Sequence, residues 1–493
     1  MKFKSILMAG IPAVAALCLS ASAQAGSDMR PVQLPKSPIS PSTLIARGLH
    51  AGTIHLSAAW NRQGKINPPL HCTPAPCALP NVEGSAGATE PVDETPIAVN
   101  PRNQMQLITG GNDYNCSNNL RAFWTSNDRG KTWSGACAVD VTGQSGDGDP
   151  VVGYDLKGNV YQGGIDSGGV SIASSSNNGK TWNNAVTSSA VSGDFADKPW
   201  LAIDTNANSP NKNDLYVSNT MFDGNSDSTI YVSHSSDGGQ HWTIVQASPT
   251  AIYPTDVNQF SDLTIGADGT VYLTYMNCPA TGTCTGQKST MYIQKSTDGG
   301  NTWSSQVVID TPTLAPGSCG FYGCLPNTAE RVSDIPVIGI DNSGGARNGQ
   351  LYVVDYNWTG SFMQVRVLSS TDGGSTWSAP VNVAPKSAKH DQFFPWLNVD
   401  NKGNVGVTWL DRRNDPNNLD YEAYATWSTD GGNSFRTNVQ IADTPSNPDN
   451  DGFEGGFMGD YSGNAWYNGK LYASWTDTRN GSYSQDEIGG LRR

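Results

Sequence analysis

The chain has 493 residues, of which 15% are charged and 37% hydrophobic, with 54 Gly and 29 Pro. This composition excludes a coiled coil, a highly charged disordered chain and a collagen-like repeat, and it suits a turn-rich β protein. A net charge of −14 without any basic run argues against nucleic acid and anionic membrane surfaces as partners.

Lys2 and Lys4 precede a short apolar stretch, Ile6 to Leu19, and Ala23-Gln24-Ala25 has the small-residue pattern of a signal-peptidase site. Residues 1–25 are expected to be a signal peptide, and the mature protein to be secreted or periplasmic and monomeric. A lipoprotein anchor at Cys18 fits less well, because Leu17 stands where a small residue is expected. No later apolar run approaches the roughly 20 residues of a membrane span.

Residues 26–90 read as an extended, Pro-rich arm. Within it, Thr53 to Trp60 alternates like a β-strand. The cysteines other than Cys18 fall into near neighbours: Cys72 and Cys77, Cys116 and Cys137, Cys278 and Cys284, Cys319 and Cys324. Short loops close at low entropic cost and an oxidising compartment favours disulfides, so four local pairs are expected. Zinc is the competing reading, with six histidines in the whole chain.

From residue 91 to 493 the sequence is periodic. The octapeptide S-x-D-x-G-x-x-W occurs at Ser126–Trp133, Ser235–Trp242, Ser296–Trp303 and Ser370–Trp377. Ser175–Trp182 carries Asn177 for the Asp, and Ser428–Phe435 carries Phe for the Trp. Each follows an alternating strand and has the chemistry of a tight hairpin: Ser and Asp oxygens accept turn amides, and Gly takes the left-handed position. These boxes resemble the Asp-box repeats of the sialidase-like (bacterial neuraminidase) β-propeller family. The resemblance implies that each box joins the third and fourth strands of a blade. It also implies that the active site lies on the opposite face of the disc.

A second repeat fixes the blade number. Pro150, Pro199, Pro336 and Pro395 are each followed five positions later by Asp155, Asp204, Asp341 and Asp400, then by a turn and a strand. Weaker copies begin near Pro96, Asp262 and Tyr461. Seven such pairs against six boxes predict an all-β, seven-bladed β-propeller whose last blade ends within its third strand. A closed ring then needs a fourth strand from the N-terminal arm, and Thr53–Trp60 is the candidate.

Strand openings and second-strand ends share the face opposite the boxes, where loops from every blade converge on the axis. The candidates there are Asp149 and Lys198, each preceding a strand-opening Pro, with Arg331, Asp334, His390, Asp391, Asp460 and Tyr461. Trp409-Leu410-Asp411-Arg412-Arg413 and Trp475-Thr476-Asp477-Thr478-Arg479 are two copies of W-x-D-x-R. Carboxylates suit acid–base work on a sugar, aromatics stack on a pyranose and Arg holds an anion. An Asp repeated at matched positions in several blades is more often a blade-to-blade anchor. In the resembling family a Tyr/Glu pair acts as nucleophile, an Asp as acid/base and three arginines bind a carboxylate. By that resemblance Tyr461, followed by Ser462, is the nucleophile, and Glu330 is its partner. Arg331, Arg413 and Arg479 are the anion-binding arginines. The sequence departs from the family at Glu94-Thr95-Pro96, where an Arg before Ile-Pro is expected.

Three functions fit: a secreted sialidase-like glycan hydrolase, a non-catalytic propeller binding glycan or protein, and a polysaccharide lyase using His390 or Tyr461 as base. No cofactor is implied, although the carboxylate-rich stretches Asp147–Asp149 and Asp411–Asp420 suit Ca2+ without forming an EF-hand loop.

Overall fold

The computed structural model describes residues 37–54, 76–116, 119–317 and 319–493. Seven antiparallel sheets succeed one another along the chain as the blades of a β-propeller. The first strands of blades 2, 3 and 4 are Gly146–Tyr154, Phe195–Ile203 and Asp256–Ile265; those of blades 5, 6 and 7 are Val337–Ile340, Gln392–Val399 and Gly463–Tyr467. In blade 1 the first strand is split into Val92–Asp93 and Ile97–Val99. Thr95 bridges Ser462 in parallel, so the first strands of blades 1 and 7 meet and the ring is continuous.

Blade 7 contributes three strands, ending with Gln485–Arg492. Cys77–Ala78 and Val82–Glu83 pair antiparallel with that last strand and take its outer edge. The expected closing segment, Thr53–Trp60, lies for the most part outside the described residues. Composition pointed to an extended arm, but Pro41–His50 is an α-helix (α1), with Ser40 at its N-cap and Pro41 opening the first turn.

The core lies between neighbouring blades, so inner strands are buried on both faces; Leu107–Asp113, Val160–Asp166 and Leu215–Phe222 are buried throughout. Blade contact is close enough that a Cβ on Gly406 would come within 2.2 Å of the Trp466 ring. Blades 1 to 6 each carry a box turn between third and fourth strands, with Asn177 for the Asp in blade 2 and Phe435 for the Trp in blade 6. At Ser126–Trp133, Ser126 Oγ accepts the Gly130 amide at 2.9 Å and Asp128 accepts the amides of Lys131 and Thr132. Trp133 Nε1 donates to the Gly130 carbonyl at 3.1 Å. The repeated Asp of the second motif anchors the turn between first and second strands: Asp155 and Asp400 each accept two backbone amides.

Three expected disulfides are formed, Cys116–Cys137, Cys278–Cys284 and Cys319–Cys324. The fourth involves Cys72, which lies outside the described residues. No helix among the described residues is long and apolar enough to cross a membrane.

Candidate functional site

The strand openings carry a repeated irregularity. Register shifts interrupt the pairing of first and second strands in blades 2, 3, 4 and 6. At these bulges Asp149, Lys198, Phe260 and Phe394 have φ between 45° and 62°, and Glu94 in split blade 1 has φ 55°. Left-handed backbone at a non-Gly residue costs roughly 1–3 kcal/mol and persists where packing over-determines it. A bulge re-aims its side chain, and here it turns three ionisable groups toward the axis.

Around the axis Asp93, Glu94, Asp149, Asp197, Lys198, Asp262, Arg331, Asp460 and Tyr461 are all at most 2% exposed. Arg331 makes a two-pronged ion pair with Asp460, with Nε to Oδ1 at 2.9 Å. The Asp460 amide donates to Glu94 Oε1 at 3.2 Å. Asn112 ties the carboxylates together: its Nδ2 donates to Asp93 and Glu94 at 2.8 Å, and its Oδ1 accepts the Asp149 amide at 2.9 Å. Asp149 Oδ2 accepts the Lys198 amide at 2.9 Å. Among the described residues the Lys198 ammonium has no hydrogen-bond partner. It lies 4.4 Å from the Tyr461 ring centre, 4.6 Å from Trp200 and 5.9 Å from Trp396, in a cation–π cage.

Six carboxyls face two cations, and burial disfavours charge. Burial, then the Asp149 and Asp460 charges, hold the Glu94 carboxyl well above its ordinary range. Burial similarly raises Asp93 and Asp197, with further contributions from neighbouring carboxylates. Asp262 is pushed up to about 7 by burial, against two backbone amides and Lys198. Burial lowers Lys198, although the surrounding carboxylates oppose this. Burial therefore favours the protonated form of Asp93, Glu94, Asp197 and Asp262.

The expected site residues separate into two sets. Asp149, Lys198, Arg331, Asp460 and Tyr461 meet at the axis, whereas Glu330, Asp334, His390, Asp391, Arg413 and Arg479 are engaged elsewhere. Tyr461 donates its hydroxyl to the Pro150 carbonyl at 3.3 Å, and burial keeps that hydroxyl protonated well beyond its usual range. Glu330 lies beside Asp451 instead, so the Tyr461/Glu330 nucleophilic pair is not assembled. Asp391 binds Asn418 at 2.6 Å and the Met363 amide at 2.9 Å, and faces Arg412. Its neighbour His390 is half-buried outside the axial cluster. Asp334 accepts the Tyr356 amide inside blade 5, near Asp355 and Arg366. In both W-x-D-x-R motifs the Trp indole and the Arg guanidinium bind the motif Asp. Arg413 and Arg479 are thus blade anchors. Glu94, Asp197 and Asp262 were visible at strand openings but were not singled out. Their signal was position, directly before or at an opening, as for Asp149 and Lys198.

The axis is covered on this side. Ile45, Ala46 and Leu49 of α1 join Tyr114, Leu120, Phe453 and Phe457 in one apolar cluster, spanning blade 1 and the loop before blade 7. Arg47 stacks 4.5 Å above the Phe195 ring and reaches Asp147 at 3.5 Å. Below the cluster, a channel of about 420 Å³ runs along the first strands to the box side, with Trp200, Trp396 and Asp262 among its lining residues. Among the described residues no group of three or more His, Cys, Asp or Glu is arranged to hold a metal.

No protein-family model matches the chain. One curated relative, a probable oligoxyloglucan-reducing end-specific xyloglucanase of Neosartorya fischeri, is 24% identical over 344 residues. The alignment spans 64% of this chain and 38% of the relative's length. Among solved structures, the GH93 α-L-arabinofuranosidase of Fusarium graminearum is 13% identical with a TM-score of 0.47, covering 84% of this chain and 98% of that one. The intramolecular trans-sialidase of Ruminococcus gnavus is 13% identical with a TM-score of 0.44, covering 67% and 93%.

Proposed function

We propose that this chain is a secreted glycan-acting hydrolase that cleaves neutral glycans at the axial face opposite the box turns. The observation that supports it is the convergence of Glu94, Asp149, Lys198, Arg331, Asp460 and Tyr461, from separate blades, on one buried cluster. A buried carboxyl whose protonated form is favoured suits a general acid, and a second carboxyl at the same axis suits a general base. Glu94 gives its proton to the glycosidic oxygen as the C–O bond to the anomeric carbon breaks. Asp149 takes a proton from the water whose oxygen bonds to that carbon. Arg331 and Asp460 hold each other and, through the Asp460 amide, position Glu94.

The substrate is neutral because the arginines needed for a sialic-acid carboxylate are committed. Arg331 is bound to Asp460, Arg413 to Asp411, and Arg479 to Asp477 and Asp443. The xyloglucanase relative agrees with this choice of substrate class. Disulfides and the leader-like N-terminus support export. A release assay on xyloglucan, arabinan, sialylated and uronic-acid substrates tests the proposal. Products from a neutral glycan are expected. Release of sialic acid alone, or of nothing from any substrate, would count against it.

A further inference from the structure

We infer that Pro38–Ser42 occupies a subsite built to bind the hydroxyl groups of a glycan, and that this segment must leave before substrate reaches Glu94 and Asp149. The inference rests on the catalytic reading of this face and adds the subsite's wall, formed by Asp149, Asp197, Gln259, Tyr322 and Arg331.

Each wall residue meets the segment through a polar contact. The Pro38 carbonyl accepts from Tyr322 Oη at 3.0 Å and from Gln259 Nε2 at 3.4 Å. The Ile39 carbonyl accepts from Arg331 at 3.5 Å. The Ser40 amide donates to Asp197 Oδ2 at 2.8 Å, and Ser42 Oγ donates to Asp149 Oδ1 at 2.7 Å. The Ser40 and Ser42 hydroxyls lie 2.7 Å apart. Ser42 has one proton and gives it to Asp149, so Ser40 donates to Ser42. This relay, two linked hydroxyls ending on a carboxylate, is what neighbouring hydroxyls of a sugar also supply.

The wall has more capacity than the segment uses. Among the described residues, Asp197 Oδ1 and Gln259 Oε1 are buried without any partner. Buried polar atoms are normally satisfied, and glycan hydroxyls, which both donate and accept, would fill both. The segment is also separable from the ring. It adds no strand to any blade, and α1 is held by an apolar stripe, Arg47 and the polar contacts of Ser40 and Ser42. The helix ends in an exposed turn at Ala51–Thr53.

The test places a protease site in that turn of the full chain. Cutting there leaves the preceding residues held only by non-covalent contacts. Carbodiimide labelling of carboxyl groups, mapped by mass spectrometry, is compared before and after cutting. Asp149 and Asp197 are expected to stay unlabelled in the intact protein. Their labelling should rise at least tenfold once the fragment is removed by size exclusion. A synthetic Pro38–His50 peptide should restore protection, and so should a xyloglucan or arabinan oligosaccharide. A fragment that stays bound even with Ser42→Asp, which sets a second carboxylate against Asp149, would overturn the inference. So would loss of the fold on release, carboxyls that stay unlabelled, or protection by the peptide and by neither oligosaccharide. If oligosaccharide protects but no sugar is released, the subsite stands and the hydrolase reading fails.

Discussion

The two faces of the disc use aspartate in opposite ways. In the box turns Asp298 and Asp372 are exposed and Asp128 is half-exposed, and each takes the hydroxyl of a following Thr as well as backbone amides. Those bonds, led by the Thr hydroxyl, lower all three carboxyls to about 2. On the axial face the carboxyls of Asp93, Glu94, Asp197 and Asp262 are buried among like charges and shift upward. In one set the bonds of a local turn favour the charged form; in the other, burial in a non-local cluster favours the protonated form. The contrast shows that residue type carries little functional information until burial and neighbours are known.

The largest expected effect breaks the acid–base pair. Glu94→Gln or Asp149→Asn in protein freed of the Pro38–His50 segment should cut glycan turnover by about 10²–10⁴-fold, the range for a lost general acid or base. Steady-state kinetics on the substrate found in the screen would read it. Next comes the buried ion pair. Arg331→Ala leaves Asp460 charged and unpartnered, which typically costs about 3–5 kcal/mol, visible as a lower denaturant midpoint. On the other face, Trp133→Ala removes a buried ring and should lower stability by about 3–5 kcal/mol, while turnover by the folded fraction stays unchanged. Lost activity at an unchanged melting temperature would move the site to the box face.

A smaller effect concerns pH. Asp486 is raised to about 7 by burial. Its neighbours Thr109 and Ser474 also donate to the carbonyls of Pro96 and Thr95, at 2.9 and 2.7 Å. Both hydroxyls also donate to Asp486, at 2.7 and 3.0 Å, which opposes the shift without cancelling it. The folded state therefore binds a proton that the unfolded chain releases from about pH 4 upward. Stability attributable to Asp486 falls as pH rises from about 4 to about 7 and then levels off. Asp486→Asn should flatten that fall and raise the melting temperature at pH 8, as read by thermal scans across pH. The smallest effect is at the exposed turns, where Asp372→Asn should shift the melting temperature slightly and leave activity alone.

The same contrast explains what could be read from sequence. A box is eight consecutive residues whose bonds close on one another, so Ser126, Asp128 and Trp133 announce their structure wherever they occur. The seven blades followed from that local code and from the Pro-to-Asp spacing. The axial site depends on which distant openings meet. Asp149 and Lys198 were legible because both precede a strand-opening Pro, but nothing in sequence separates Asp460, at the axis, from Asp391, bound to Asn418. Glu94 stood out only as a departure from the expected arginine, although burial makes it the carboxyl that keeps a proton. The helix was legible too: Ser40-Pro41 is an N-terminal signal, and Ile45 and Leu49 are four apart. The proline count of the arm obscured it.

The central claim is that Glu94 as proton donor and Asp149 as base do the chemistry on a neutral glycan. It is tested most directly by sugar release from the segment-free protein and from its Glu94→Gln variant, at matched folded concentration verified by thermal melting. The account predicts product from the parent and at least about a hundredfold less from the variant with its melting transition retained. Equal release by both proteins would contradict it.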